Sequence, residues 1–169
     1  MNRSDLYNLM HRSQDAIACA QQAFERFSRL GSSWGQAIAQ RCMAEAYIHL
    51  RELDAAEQAA QHVLALEDEH TRPDALRVLA EVFLLRNDPA MAEAYAQAAI
   101  ESAQESKNDY LQGYGYRTLA TIYQAQHQPQ QAQHAFAEAL RLFTALGLPT
   151  EIADTQHLMA DAATSQTAQ

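Results

Sequence analysis

Small and aromatic residues recur at fixed offsets along this chain, and residues 113–140, GYGYRTLATIYQAQHQPQQAQHAFAEAL, set the pattern. The segment reads as a helix, a short turn broken by Pro129, and a second helix, marked by Leu119-Ala120, Tyr123, Ala132, Phe136 and Ala139. The small residue of the first helix serves as a ruler. Ser4, Ala44, Ala80 and Ala120 are each followed three residues later by an aromatic: Tyr7, Tyr47, Phe83 and Tyr123. Twelve residues beyond the ruler stand Ala16, Ala56, Ala92 and Ala132, and sixteen beyond stand Ala20, Ala60, Ala96 and Phe136. Nineteen beyond stand Ala23, Val63, Ala99 and Ala139. Alanine richness produces some matches by chance, but it does not produce the aromatic column.

The copies are spaced 40, 36 and 40 residues apart, and a further 40 reaches Ala160. The short interval lacks four residues, close to one helical turn of ~3.6, so a helix can lose them and keep nearly the same face. A period in this range predicts a stacked array of helical hairpins. The pattern predicts first helices near 2–11, 34–50, 73–86 and 109–126, and second helices near 13–30, 54–69, 89–106 and 129–146. A last helix is expected near 149–163. One domain is therefore expected over 1–163, with 164–169 a frayed tail.

Local punctuation agrees. Pro73, Pro89, Pro129 and Pro149 each fall at a predicted helix start, where a missing N–H costs nothing. Asp88 suits an N-cap. Gly31 and Gly147 each follow a leucine at the end of a second helix and suit left-handed C-caps. Alanine at a helix crossing lets two axes approach, and the aromatic fills the space beside it. Each hairpin has apolar residues on more than one side, so stacked neighbours must bury them together.

These residues resemble the tetratricopeptide repeat family. Leu79-Ala80, Phe83, Ala92, Ala96 and Ala99 carry the resemblance, as do Tyr116, Leu119-Ala120, Tyr123, Ala132, Phe136 and Ala139. Met43-Ala44, Tyr47, Ala56, Ala60 and Val63 follow it less closely, and Ser4, Tyr7, Ala16, Ala20 and Ala23 least. Alanine replaces the motif glycine, the leading aromatic survives only as Tyr116, and the closing proline is absent. The period exceeds the family's usual ~34 residues, as in repeats of bacterial regulatory and signalling proteins. The resemblance implies an all-α, right-handed superhelix of about four repeats plus a C-terminal capping helix.

It also implies a concave groove, lined by first helices, that holds a segment of a partner. Residues three before the ruler should face it: Arg41, Arg77, Arg117 and His157. So should residues one after: Asp5, Glu45, Glu81, Thr121 and Asp161. Arginines in this ladder could grip carboxylates of a partner with forked geometry. They could equally pair internally, since Arg41–Glu45 and Arg77–Glu81 are four apart on one helix, an order worth ~0.2–0.5 kcal/mol. Thr121 follows Arg117, which therefore has no acid on its own helix at that spacing. The groove around Arg77, Tyr114 and Arg117 is thus the expected anchor. The asparagines of the family's carboxylate-clamp pattern are missing, so that specificity is not carried over.

Composition narrows the remaining classes. The net charge of −9 argues against nucleic-acid backbones and anionic membranes as partners. The mean hydropathy of −0.37 and the absence of an apolar run near ~20 residues argue against a membrane span. The start, MNRSDLYNLMHRSQ, lacks the apolar stretch of a secretory leader, which makes the cytoplasm the expected compartment. Cys19 and Cys42 sit in apolar helical stretches and read as buried reduced thiols. The histidines are scattered; His127 and His134 are not a ligand pair on one helix, and His49 stands alone. No metal-ligand spacing, phosphate-binding loop or nucleophile elbow is present. No enzyme, cofactor or metal is therefore expected. Glu67-Asp68-Glu69 reads as a fraying helix end. The expected function is a protein- or peptide-binding scaffold or adaptor. The alternative is a regulatory module whose groove binds a small peptide or effector and controls a partner such as a transcription regulator. An incompletely covered end of the array would favour a homodimer.

Overall fold

Runs of alanine, leucine and glutamine with few β-branched residues favour helix. The computed structural model, which describes residues 12–66 and 68–167, contains eight helices and no strand among those residues. These are α1 (Ser13–Arg29), α2 (Ser33–His49), α3 (Leu53–Ala65), α4 (Arg72–Leu85), α5 (Pro89–Glu105), α6 (Asp109–Ala125), α7 (Pro129–Ala145) and α8 (Pro149–Thr167). α2, α4 and α6 are first helices of three hairpins closed by α3, α5 and α7. α1 precedes them as a second helix, and α8 follows as a further first helix. The helix expected at 2–11, with Ser4, Asp5 and Tyr7, lies outside the described residues. So do Glu67 and the side chains of Asp161 and Ala163.

Two boundaries differ from expectation. α3 ends at Ala65 rather than near 69, and has 13 residues where α1, α2, α5, α6 and α7 have 17. The 36-residue interval is therefore shortened on both sides of its connection: α3 lacks its last turn, α4 starts late and has 14 residues, and the longer connection 66–71 makes up part of the loss. Asp68 falls in the connection instead, where its Oδ1 accepts hydrogen bonds from His70 N at 2.8 Å and Thr71 N at 3.3 Å and starts α4. At the other end α8 continues past 163 to Thr167.

Six of the connections are three residues long and share one backbone motif. In each, the middle residue is left-handed and the next N–H returns to a carbonyl one turn back, as Asn108 N does to Ala103 O at 2.8 Å. Ser32, Asp88 and Asn108 then cap the following helix through their side chains.

The ruler residues Ala44, Ala80 and Ala120 are all 0% exposed, as are Ala16, Ala56 and Ala92. Ala160, the fifth ruler position, is exposed. Each helix packs on the next. First helices also approach one another, α2 with α4, α4 with α6 and α6 with α8, whereas the backbones of second helices do not. The row whose members touch lies inside the curve. α2, α4, α6 and α8 therefore line a concave wall, and the second helices stand outside with gaps between them.

Candidate partner-binding groove

The arginines three before each ruler lie on this inner wall, but they are used in two different ways. Arg41 of α2 and Arg77 of α4 enter an ion-pair net. Arg41 Nη1 bonds Glu45 Oε1 at 3.1 Å, and Arg77 Nη2 reaches the same oxygen across the repeat boundary at 2.7 Å. Arg77 also bonds Glu81 Oε1 at 2.5 Å and Asp74 Oδ1 at 3.2 Å, while Arg41 Nε lies 3.6 Å from Asp74. Two guanidiniums thus serve three carboxylates, and only 12% of the Arg77 side chain is exposed. Burial raises the Glu45 carboxyl above its ordinary value, outweighing Arg41 and Arg77, and repulsion from Asp74 and Glu81 adds to it. For Arg77 burial pulls the other way, but Glu81, Asp74 and Glu45 together outweigh it and hold the guanidinium charged. At these two rungs the internal pairing dominates.

Arg117 of α6 differs. Thr121 stands where Glu45 and Glu81 stand on the earlier helices, and its hydroxyl donates back to Arg117 O at 3.1 Å. Among the described residues Arg117 makes no ion pair. Its guanidinium lies over the Tyr114 ring, 4.3 Å from the centroid, with Phe143 at 5.8 Å. Such a contact is worth about 0.5–2 kcal/mol and leaves the N–H fork available. Tyr114 is itself fixed edge-on by Tyr110 at 4.9 Å and by Phe143 at 5.4 Å. Tyr110 donates to its hydroxyl at 3.2 Å, and that hydroxyl donates to Glu151 of α8 at 3.4 Å. Burial first, then the Tyr110 bond, push the phenol upward, so Tyr114 stays neutral. Gly113 makes room for this stack: a Cβ there would sit 2.6 Å from Phe143 Cε1.

Between α4, α6 and α8 the wall opens into a cavity of about 430 Å³. Of the residues expected in the groove, Arg77, Glu81, Tyr114, Arg117, Thr121 and His157 line it. Arg41 and Glu45 do not; they belong to the ion-pair net one repeat away. Thr118, Asp154 and Leu158 also line the cavity and were not expected there. Asp154 had a signal, because Asp74, Tyr114 and Asp154 form a column six residues before the ruler, one turn from the arginine column. The cavity is of mixed charge. One unpaired cation, hydroxyls at Thr118 and Tyr114, and carboxylates at its edges suit a polar, extended segment. Among the described residues no cluster of three or more His, Cys, Asp or Glu side chains is placed to hold a metal ion, and no helix is long and apolar enough to cross a membrane.

A curved stack of helical hairpins with an open inner wall defines a repeat solenoid of the protein-interaction class. A tetratricopeptide repeat model matches residues 71–145, which span α4 to α7. These matched residues form a tetratricopeptide repeat segment, and the same hairpin stacking continues on both sides of them. It is similar in fold to BtubC (BKLC) from P. vanneervenii, with a TM-score of 0.74 and 16% identity over 91% of this chain. That alignment spans 66% of the BtubC chain, just under two thirds. It is also similar to a variant of a Podosopora anserina protein described as a kinesin light chain with nearly identical TPR-like repeats. Here the TM-score is 0.64 and the identity 17%, over 98% of this chain and 84% of the other. No curated protein sequence is significantly similar to the chain. Repeats of this family generally mediate protein–protein interaction as scaffolds.

Proposed function

We propose that the chain is a non-enzymatic binding scaffold whose concave wall receives an acidic segment of a partner polypeptide. Arg117 is the anchor, and the single observation behind this reading is its geometry. It is the ladder arginine without an internal carboxylate among the described residues, its guanidinium lies over the Tyr114 ring, and it faces a cavity built by three successive first helices. A guanidinium preorganised in this way loses little freedom when it takes a carboxylate in its fork. Thr118 and Thr121 stand beside it, and Asp154 and His157 give the far side a different polarity, which would set the direction of the bound segment.

Affinity capture followed by mass spectrometry tests this, comparing the unaltered protein with Arg117→Ala. A charge-assisted hydrogen bond is worth about 1.5–3 kcal/mol, so partner affinity should fall about 10- to 100-fold with helical content unchanged. Recovery of the same partners at equal strength would refute the anchor. A thermal shift with small-molecule extracts, lost in Arg117→Ala, in the absence of any captured protein would instead favour an effector-binding regulatory module.

A further inference from the structure

Because the chain is written in copies, each gap on its outer face can be compared with the next. Between α3 and α5, over α4, the gap is filled by Tyr95. Its ring stacks on Phe83 with centroids 5.3 Å apart and packs against the cluster that holds Ala56, Ala59 and Ala60 of α3. Leu76, 5% exposed, closes the floor. In the following gap Tyr116 occupies the place of Leu76 and packs with Ile100 and Leu119.

The first gap, between α1 and α3 over α2, has neither plug. Ala59 stands where Tyr95 stands in the next copy, and Gln40 stands where Leu76 and Tyr116 stand. A cavity of about 360 Å³ is left, floored by Met43 and Tyr47, the counterparts of Leu79 and Phe83. Its walls are held apart, because Phe24 and His62 close one end with their rings edge-on at 5.6 Å. The amides of Gln21, Gln40 and Gln58 line it and have no hydrogen-bond partner among the described residues. No carboxylate, arginine or lysine lines it. Protein interiors are otherwise close-packed, and this chain demonstrates one gap over how an aromatic ring fills the same space.

We propose that this gap is a socket for one aromatic side chain, a tyrosine, presented by a partner polypeptide at the outer face. The ring would stack on Tyr47 and cover Met43, as Tyr95 stacks on Phe83. The glutamine amides would bond the phenol hydroxyl and the flanking peptide groups. An aromatic anchor buries about 150–250 Å² and suits a preformed pocket. The socket is separate from the concave groove and does not depend on Arg117.

The test uses the whole protein labelled with methyl-¹³C methionine and titrated with N-acetyltyrosinamide, with N-acetylleucinamide in parallel. The expected result is a saturable upfield shift of the Met43 methyl under the aromatic probe, with Met91 and Met159 unmoved. Ala59→Tyr, which copies the plug of the next gap, should abolish that response and raise the melting temperature. Ala59→Leu serves the same purpose should the tyrosine prevent folding. Arg117→Ala should leave the Met43 response intact, which separates this result from any failure of the groove. An unmoved Met43, an equal response to the leucine probe, or a response that survives the plug would each overturn the socket. A concentration-dependent Met43 shift without probe, abolished by the plug, would put a second copy of this chain there and overturn the assignment to a partner polypeptide.

Discussion

Four of the described connections place a residue other than glycine in the left-handed conformation: Arg51 at φ 62°, Asn87 at 61°, Lys107 at 52° and His127 at 58°. Gly31 at 66° and Gly147 at 68° occupy the same place in the same motif. For an L-residue that conformation costs roughly 1–2 kcal/mol, and asparagine tolerates it best. Replacement by glycine removes the cost but adds about 0.4–1 kcal/mol of unfolded-chain entropy. The net gain is about 0.5–1 kcal/mol per site at Arg51, Lys107 and His127. All three are exposed and make no side-chain interaction among the described residues. They lie in separate connections, so the effects should add to about 1.5–3 kcal/mol. For a chain of this size that is roughly 3–12 °C in melting temperature, read by circular dichroism on the triple variant. Gly31→Ala and Gly147→Ala are the reverse experiment. No heavy atom lies within 4 Å of either Cβ, so any loss of about 1 kcal/mol is backbone strain alone. A triple glycine variant no more stable than the parent, together with harmless alanines, would refute the left-handed geometry of these turns.

Ala120 is fully buried against Ala135 and Phe136 of α7, so Ala120→Leu should overpack the crossing and cost about 1–3 kcal/mol in urea denaturation. Arg77→Ala strands Glu81 and leaves Glu45 and Asp74 to share Arg41, and should cost about 3 kcal/mol, the low end for a broken buried pair because Arg41 still serves two of the three carboxylates. Pairing it with Arg117→Ala would therefore confuse stability with binding, and Arg117→Ala alone should melt within about 1 kcal/mol of the parent, the scale of a partly exposed cation–π contact. The raised Glu45 carboxyl gives a pH signature. The folded state takes up a proton there before the unfolded chain does, so its stabilising contribution is present below the ordinary value of 4.5 and is lost as pH rises through the folded value. Glu45→Gln should accordingly be at least as stable as the parent at pH 7, with the difference shrinking toward pH 4.5 in melting curves taken across that range.

The ruler columns of the sequence located the crossings: every described ruler alanine that has a following helix is fully buried, and each proline opens a helix. The shortened copy was visible as a 36-residue interval, but the sequence did not say that both α3 and α4 give up residues around a longer connection. The acidic run 67–69 hid the answer, because Asp68 caps a turn as readily as it frays a helix. The left-handed connections were legible only at Gly31 and Gly147, since Arg51, Lys107 and His127 carry no mark of the conformation the turn imposes on them. In the groove, the arginine ladder could be read from spacing, and Thr121 marked its third rung as different.

Periodicity by itself determined the helical hairpins, their number and the faces they bury, because those depend on residues a few positions apart on one helix. Which arginine is consumed and which is free depended on side chains from different repeats. Arg77 reaches Glu45 from 32 residues away, while Arg117 finds Tyr114 and Phe143 instead. The empty outer gap likewise exists only when α1, α2 and α3 are stacked, since Ala59 and Gln40 look ordinary in the chain. Small residues make a void only where the neighbouring helices are held too far apart to close over them.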